Sequence, residues 1–234
     1  MEEIRQILAG LDWSPLFISI KTGIAATIVS FFLGIWAARK VLKAKTGLRV
    51  VLDGILTLPL VLPPTVAGFF LLLIFSTRRT VGSYLYTTFD IKIVQSWVGC
   101  VIAATVIAFP LMYRNARAAF EQVDVNLIYA AQTLGMPEWK IFWRVIMPAA
   151  GPGVASGTIL AFARALGEYG ATSMLAGNIP GKTATISQRI AMVIQDGDYQ
   201  TAGVWVGIVI LIAFGIVVLM NLAFGKGMKH TKQW

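Results

Sequence analysis

DVNLIYAAQTLGMPEWKIFWRVIMP, residues 124–148, is helical in pattern yet too polar to cross a bilayer, and it lies between long apolar runs. Asp124 can cap a helix in which Leu127, Ile128, Ala131 and Leu134 recur at helical spacing. Gly135 supplies a stop. Pro137 suits the first turn of a second helix, whose Trp139, Phe142, Trp143 and Ile146 form one apolar stripe beside Lys140 and Arg144. Such a helix belongs at a membrane surface. The two helices make a compact knob, and small Ala130 and Ala131 near its tip let a foreign surface approach the backbone. Two readings fit this pattern: an element that docks another protein, or a connector that lies on the headgroups.

The surrounding chain shows what the knob is attached to. Of 234 residues, 57% are hydrophobic and only 13% charged, against about a quarter charged in soluble proteins. Mean hydropathy is +0.74. This is the composition of an integral membrane protein. Apolar runs follow one another with no long polar segment between them, so residues 1–234 read as one domain. The net charge of +9 does not point to nucleic acid, because the basic residues sit in short groups beside apolar runs. Cys100 is the only cysteine and lies within an apolar run, so no internal disulfide can form and a small buried hydrophobe is its ordinary role. The acidic start, with Glu2, Glu3 and Asp12, lacks the basic region of a signal peptide; the first apolar run is expected to stay as an anchor.

Five runs are long enough to span about 30 Å of hydrocarbon, which takes about 20 helical residues: roughly 16–38, 50–75, 97–113, 149–169 and 202–224. All five are expected to be helices, since open strands leave backbone groups unpaired in lipid. Arg39, Lys40, Lys43, Lys45 and Arg49 crowd the first connection. The positive-inside rule makes that connection cytoplasmic and the N-terminus external. Alternation then puts the knob inside, together with the tail carrying Lys226, Lys229 and Lys232. Lys21 can snorkel to the outer interface, and Trp13 and Trp36 flank its run as belt residues.

Two runs carry features that plain spanning helices do not need. The second contains Pro59, Pro63 and Pro64, and each removes a backbone donor, so this helix must kink or break inside the membrane. A gate beside a pathway and a static kink that aids packing are both compatible with that cluster. The fourth contains Arg164 and Glu168, one helical turn apart. They should pair or face the protein interior, in a structural or a pathway-lining role. Gly153 and Gly157, and likewise Gly203 and Gly207, are spaced for close helix contact. Residues 76–96 and 170–201 are expected outside, the first as a connection with Arg78, Arg79 and Lys92, the second with a short amphipathic helix around Ile186, Ile190, Val193 and Ile194.

Covalent chemistry finds little support. AGNIPGKT, residues 176–183, matches a relaxed phosphate-loop pattern, but such a loop needs a strand leading into a helix and an acidic magnesium partner. Here an apolar run precedes it and Pro180 stiffens it. The lone His230 lies in the tail, so no histidine-activated nucleophile or metal cluster can be assembled within the membrane. The chain is expected to be non-catalytic and to hold no cofactor.

The knob resembles the Glu-Ala-Ala loop of the membrane subunits of ATP-binding-cassette (ABC) importers. That loop has two Ala, a Gly after three intervening residues, and then, after nine more, a hydrophobic residue, any residue, Leu and Pro. Ala130, Ala131, Gly135, Val145, Met147 and Pro148 fall on those positions, while Tyr129 stands where the loop's Glu would be. The resemblance implies an all-α permease of the type I importer fold, with a cytoplasmic coupling loop at about residues 118–148. It implies further that ATP and magnesium are bound by two copies of a separate ATPase subunit. A second copy of this chain, an extracellular or periplasmic oxyanion-binding protein and membrane lipid complete the expected partners. LPLVLPPTVAG (residues 58–68), VDVNLIYAAQTLG (123–135) and LAFARALGEYGATSMLAGNIPGKT (160–183) together resemble the molybdate permeases of these importers. Sulfate permeases are similar in the last of these stretches, and tungstate permeases share the general plan. An ion-coupled secondary carrier is a more distant alternative, although such carriers usually show internal repeats and several intramembrane acids.

Overall fold

The computed structural model describes residues 8–225, and every element in it is helical. His230, the tail lysines, Glu2 and Glu3 lie outside the described residues. In chain order the helices are α1 (Ser14–Leu42), α2 (Thr46–Val61), α3 (Pro64–Phe75), α4 (Thr80–Phe89), α5 (Trp97–Glu121), α6 (Val125–Thr133), α7 (Glu138–Ala149), α8 (Gly151–Leu166), α9 (Gly170–Ala176), α10 (Ile186–Gln195) and α11 (Tyr199–Gly225).

Three of the expected spans are single helices: α1, α5 and the first 18 residues of α11 are each long and apolar enough to cross a membrane. The second run breaks where α2 and α3 meet at 109°. The fourth run is the 16-residue α8, which is long enough to cross only when taken together with α7, and those two meet at 75°. The first break follows from the prolines. Leu62 and Pro63 are extended, and Pro64 opens α3 at a position where a missing backbone N–H costs nothing. Pro59 lies inside α2, two residues before that helix ends.

Helix α5 is the axis of the body. Ala26, Ile35 and Ala38 of α1 share one core with Ala104, Ala108, Met112 and Ala116 of α5 and with Val154, Ala161 and Ala165 of α8. Small residues carry these contacts because lipid offers helices no hydrophobic reason to associate, leaving van der Waals packing at short range to hold them. A Cβ on Gly34 would stand 2.7 Å from Met112 Cγ, and one on Gly153 or Gly157 would stand 2.6 Å from the Cβ of Ala119 or Asn115. Gly203 and Gly207 behave differently. A Cβ on either meets nothing within 4 Å, so the packing expected from their spacing is not made among the described residues.

Two connections differ from expectation. Residues 76–96 hold helix α4, closed by Asp90 in the left-handed region at φ 53°. Residues after Gly170 do not leave the body. Ala171, Leu175 and Ala176 are fully buried as α9 packs on α3 and α5. The reason is that Gly167 to Tyr169 end α8 without ending the apolar pattern, so the chain turns and continues inward. The amphipathic α10 forms as expected, with Ile186 and Val193 buried and Gln188 Oε1 accepting the Thr185 N–H at 2.8 Å at its start.

Candidate functional site

The knob is built on the end of α5. Asp124 Oδ1 accepts the Asn126 backbone N–H at 2.8 Å and so caps α6. At the other end Gly135 adopts φ +70°. Its N–H donates to Gln132 O (2.9 Å) and that of Met136 to Ala131 O (3.2 Å), the paired bonds of a Schellman stop. Pro137 then caps α7 rather than occupying its first turn.

The expected stripes divide between two faces. In α6, Ala131 is buried and Ile128 half-buried, while Leu127, Tyr129, Ala130 and Leu134 are exposed, Leu134 by 80%. In α7, Ile141 and Phe142 are buried, while Trp139 and Trp143 point outward. A π-helical turn over Phe142–Ile146 helps to explain this split, with Met147 N–H donating to Phe142 O. Pro148 cannot donate to Arg144 O, and the wider turn relieves its clash with that carbonyl. Val145 and Met147 are half-buried and Pro148 exposed.

The knob therefore has a fixed inner side and a bare outer one. Phe142 meets Phe120 edge-on with centroids 5.5 Å apart, and the Arg39 guanidinium lies 4.3 Å from the centre of the Phe142 ring. Lys43 pairs with Glu138, and the hydrogen bond from Lys43 holds the Glu138 carboxyl below its ordinary range. Only outside this footing do Tyr129, Ala130 and Leu134 offer a small apolar surface.

The structure also brings together two groups that the sequence places a hundred residues apart. Helix α3 begins at Pro64 and α9 at Gly170, and these two starts touch. A Cβ on Gly170 would lie 3.0 Å from Pro64 Cβ, and one on Gly68 would lie 2.7 Å from Ala171 Cα. Glu168 sits at this junction, 1% exposed. Its Oε1 accepts the Ala171 N–H at 2.7 Å and its Oε2 accepts from Arg164 Nη1 at 2.7 Å. Arg164 and Glu168 are thus paired. Pro59 and Pro64 are half-buried and Pro63 is exposed.

One polar group escapes a reading by runs. Asp53, a single acid in α2, accepts from Tyr113 Oη at 2.9 Å and pairs with Arg117; Arg117 also reaches Glu121 at 3.2 Å, and Arg49 closes the chain at Glu121. An acid alone in an apolar helix is the signal that could have revealed it. The stretch resembling a phosphate loop is entered from helix α9, and Thr183 Oγ1, fully buried, accepts the Ile179 N–H at 3.0 Å. Its hydroxyl serves its own turn. Among the described residues no group of His, Cys, Asp or Glu is arranged to hold a metal ion.

Comparison with known proteins agrees with this architecture. Residues 30–224 match the family described as "Binding-protein-dependent transport system inner membrane component". The chain is 43% identical over 189 residues to the molybdenum transport system permease protein ModB of Escherichia coli K12, covering 81% of this chain and 82% of that one. It is 38% identical over 208 residues to the putative molybdenum transport system permease protein YvgM of Bacillus subtilis, covering 89% and 92%. The sulfate transport system permease protein CysT of Escherichia coli K12 is 31% identical over 213 residues, covering 89% and 76%. Among solved structures, a bacterial alginate ABC transporter in complex with its pentasaccharide-bound periplasmic protein superposes with a TM-score of 0.70 at 17% identity, over 90% of this chain and 78% of that one. An amino acid ABC transporter superposes with a TM-score of 0.65 at 18% identity, over 96% and 95%. These likenesses show the type I importer permease fold.

Proposed function

The chain belongs to the binding-protein-dependent transport system inner membrane component family, and from that premise we propose that it is the multi-pass inner-membrane permease through which an ABC importer moves molybdate. Relatives at 43% and 38% identity are described as molybdenum permeases, one of them as putative, while the sulfate permease stands at 31%. Sulfate and tungstate, oxyanions of the same charge and shape, are the alternatives.

One observation carries the mechanism: a knob footed on the membrane body through Phe120, Phe142, Arg39 and the Lys43–Glu138 pair, with an exposed apolar outer face. Residues 118–148 are the coupling loop of a single permease domain that extends over the whole chain. Tyr129, Ala130 and Gly135 present the docking surface, buried Ala131 seats it on the body, and Val145, Met147 and Pro148 belong to the α7 footing. The N-terminus faces outside and the knob and C-terminus face the cytoplasm. Two copies of the chain pair, with the pathway between them, and each takes one ATPase subunit. ATP and magnesium stay with those subunits. When they close, the two knobs are drawn together and the helices rock as rigid bodies between inward- and outward-open arrangements. Pro64 meets Gly170 at the junction of α3 and α9, with Glu168 and its partner Arg164 beside it and Pro59 and Pro63 ahead of it in the broken second run; this is the gate candidate because the break of that run touches the start of α9. An external binding protein selects the oxyanion.

The test is ATPase stimulation in the reconstituted complex, with molybdate, tungstate and sulfate each presented on the cognate binding protein. Stimulation by molybdate above sulfate is expected. Equal stimulation by all three would remove the substrate assignment, and no ATPase binding would remove the coupling role.

A further inference from the structure

Where α1 ends, its outer face and the knob's second helix, α7, line a slot of about 500 Å³ with Phe32, Leu33, Trp36, Arg39, Phe142 and Trp143 among others. Phe32, Trp36 and Trp143 are at least half exposed. The slot lies on the exterior of a spanning helix, at the turn where that helix becomes basic through Arg39 and Lys40. Arg39 forms no ion pair among the described residues, and Glu138, the carboxylate that feels its charge, is taken by Lys43. The guanidinium is instead held over the Phe142 ring, which fixes it at the mouth of an otherwise apolar slot.

We propose that this slot binds an anionic phospholipid of the leaflet at the basic end of α1, its phosphate on Arg39 and one acyl chain along Phe32, Trp36 and Trp143. A planar guanidinium offers paired donors to a phosphate. Tryptophans at headgroup level accept an apolar chain on one side and water on the other. A zwitterionic lipid could fill the apolar part but would leave no net attraction for Arg39. Because Phe142 also carries the knob's contact to Phe120, the lipid would brace the knob against α1.

The site is testable on the full-length chain in mild detergent, by native mass spectrometry after delipidation and titration with phosphatidylglycerol or phosphatidylcholine. Phosphatidylglycerol should bind in preference, and Arg39→Gln should weaken it about five-fold, the worth of one basic residue against an anionic surface. Arg114→Gln, a basic residue outside the slot, should leave it unchanged, and Trp143→Ala should weaken both lipids. Equal retention of the two lipids, or an Arg39→Gln protein that binds as the parent does, would overturn the proposal. So would displacement of the lipid by millimolar inorganic phosphate, which would mark a phosphate site without a chain. A disulfide-linked dimer formed in membranes by Trp36→Cys would likewise overturn it, by putting a second copy over the slot. None of these readouts involves transport, so the result stands apart from the permease reading.

Discussion

Tyr113, fully buried in α5, donates a 2.9 Å hydrogen bond to Asp53, half-buried in α2. No residue of α2 is itself buried, so this bond and the adjoining Arg117 pair are a main anchor of the helix that leads into the proline break. Leu52 and Leu56 pack on the core only from a half-buried position, so α2 can be released without dismantling that core.

Tyr113→Phe should therefore lower the thermal stability of the detergent-solubilised protein by about 1.5–3 kcal/mol, the worth of a hydrogen bond to a charged acceptor. Asp53→Ala should cost little more in stability, because the ion pair is partly exposed. Its larger effect should fall on α2, seen as faster hydrogen exchange over residues 46–61 than over α5. Uniform exchange in both helices would show that α2 is not separately anchored.

At Gly135 a Cβ would meet nothing within 4 Å, so the only obstacle to a side chain is the backbone at φ +70°. Gly135→Val should strain the turn by about 1–2 kcal/mol and turn the knob away from its partner. Gly135→Asn should be tolerated, because Asn enters the left-handed region readily. In membrane vesicles the Val variant should insert normally and lose ATP-driven molybdate uptake, and the Asn variant should keep it. Full uptake by the Val variant would count against docking at this turn.

Gly68 and Gly54 make a contrasting pair. A Cβ on Gly68 would stand 2.7 Å from Ala171 Cα, whereas one on Gly54 meets nothing within 4 Å. Gly68→Ala should destabilise by about 1–3 kcal/mol through overpacking between α3 and α9. Gly54→Ala should stabilise α2 by up to about 1 kcal/mol through lower chain entropy. Thermal unfolding of the two variants in one detergent compares them directly, and equal shifts would refute the close approach of α3 to α9.

Glu168→Ala removes a buried acceptor and leaves Arg164 without its partner, which should cost about 3 kcal/mol. Glu168→Gln keeps an acceptor for the Ala171 N–H and should recover part of that loss. A purely structural pair predicts that Arg164→Met combined with Glu168→Gln restores both stability and uptake. Restored stability without uptake would assign the charges to the pathway.

Local pattern made the helices legible. Long apolar stretches, the Asp124 cap, the Gly135 stop, the break after Leu62 and the amphipathic α10 all depend on residues near one another in the chain, and they stand where the sequence places them. The knob's inner and outer sides were not legible, because Leu127 and Leu134 have the same hydrophobicity as residues that are buried. Only the position of α1 and α5 decides which of them is covered. The π turn before Pro148 then helps send Phe142 inward and Trp143 outward, which a stripe drawn at regular helical spacing cannot anticipate.

Composition and spacing by themselves determined a membrane-spanning helical body with a polar, knob-shaped interruption, since apolar length and capping chemistry are properties of short segments. The tertiary structure alone decided that Pro64 meets Gly170, that Asp53 finds Tyr113 and Arg117, and that Gly153 packs on α5 while Gly203 packs on nothing among the described residues. Each of those facts joins residues distant in sequence, and a contact between distant residues is fixed by how whole helices cross. A single residue's preference carries no record of that crossing.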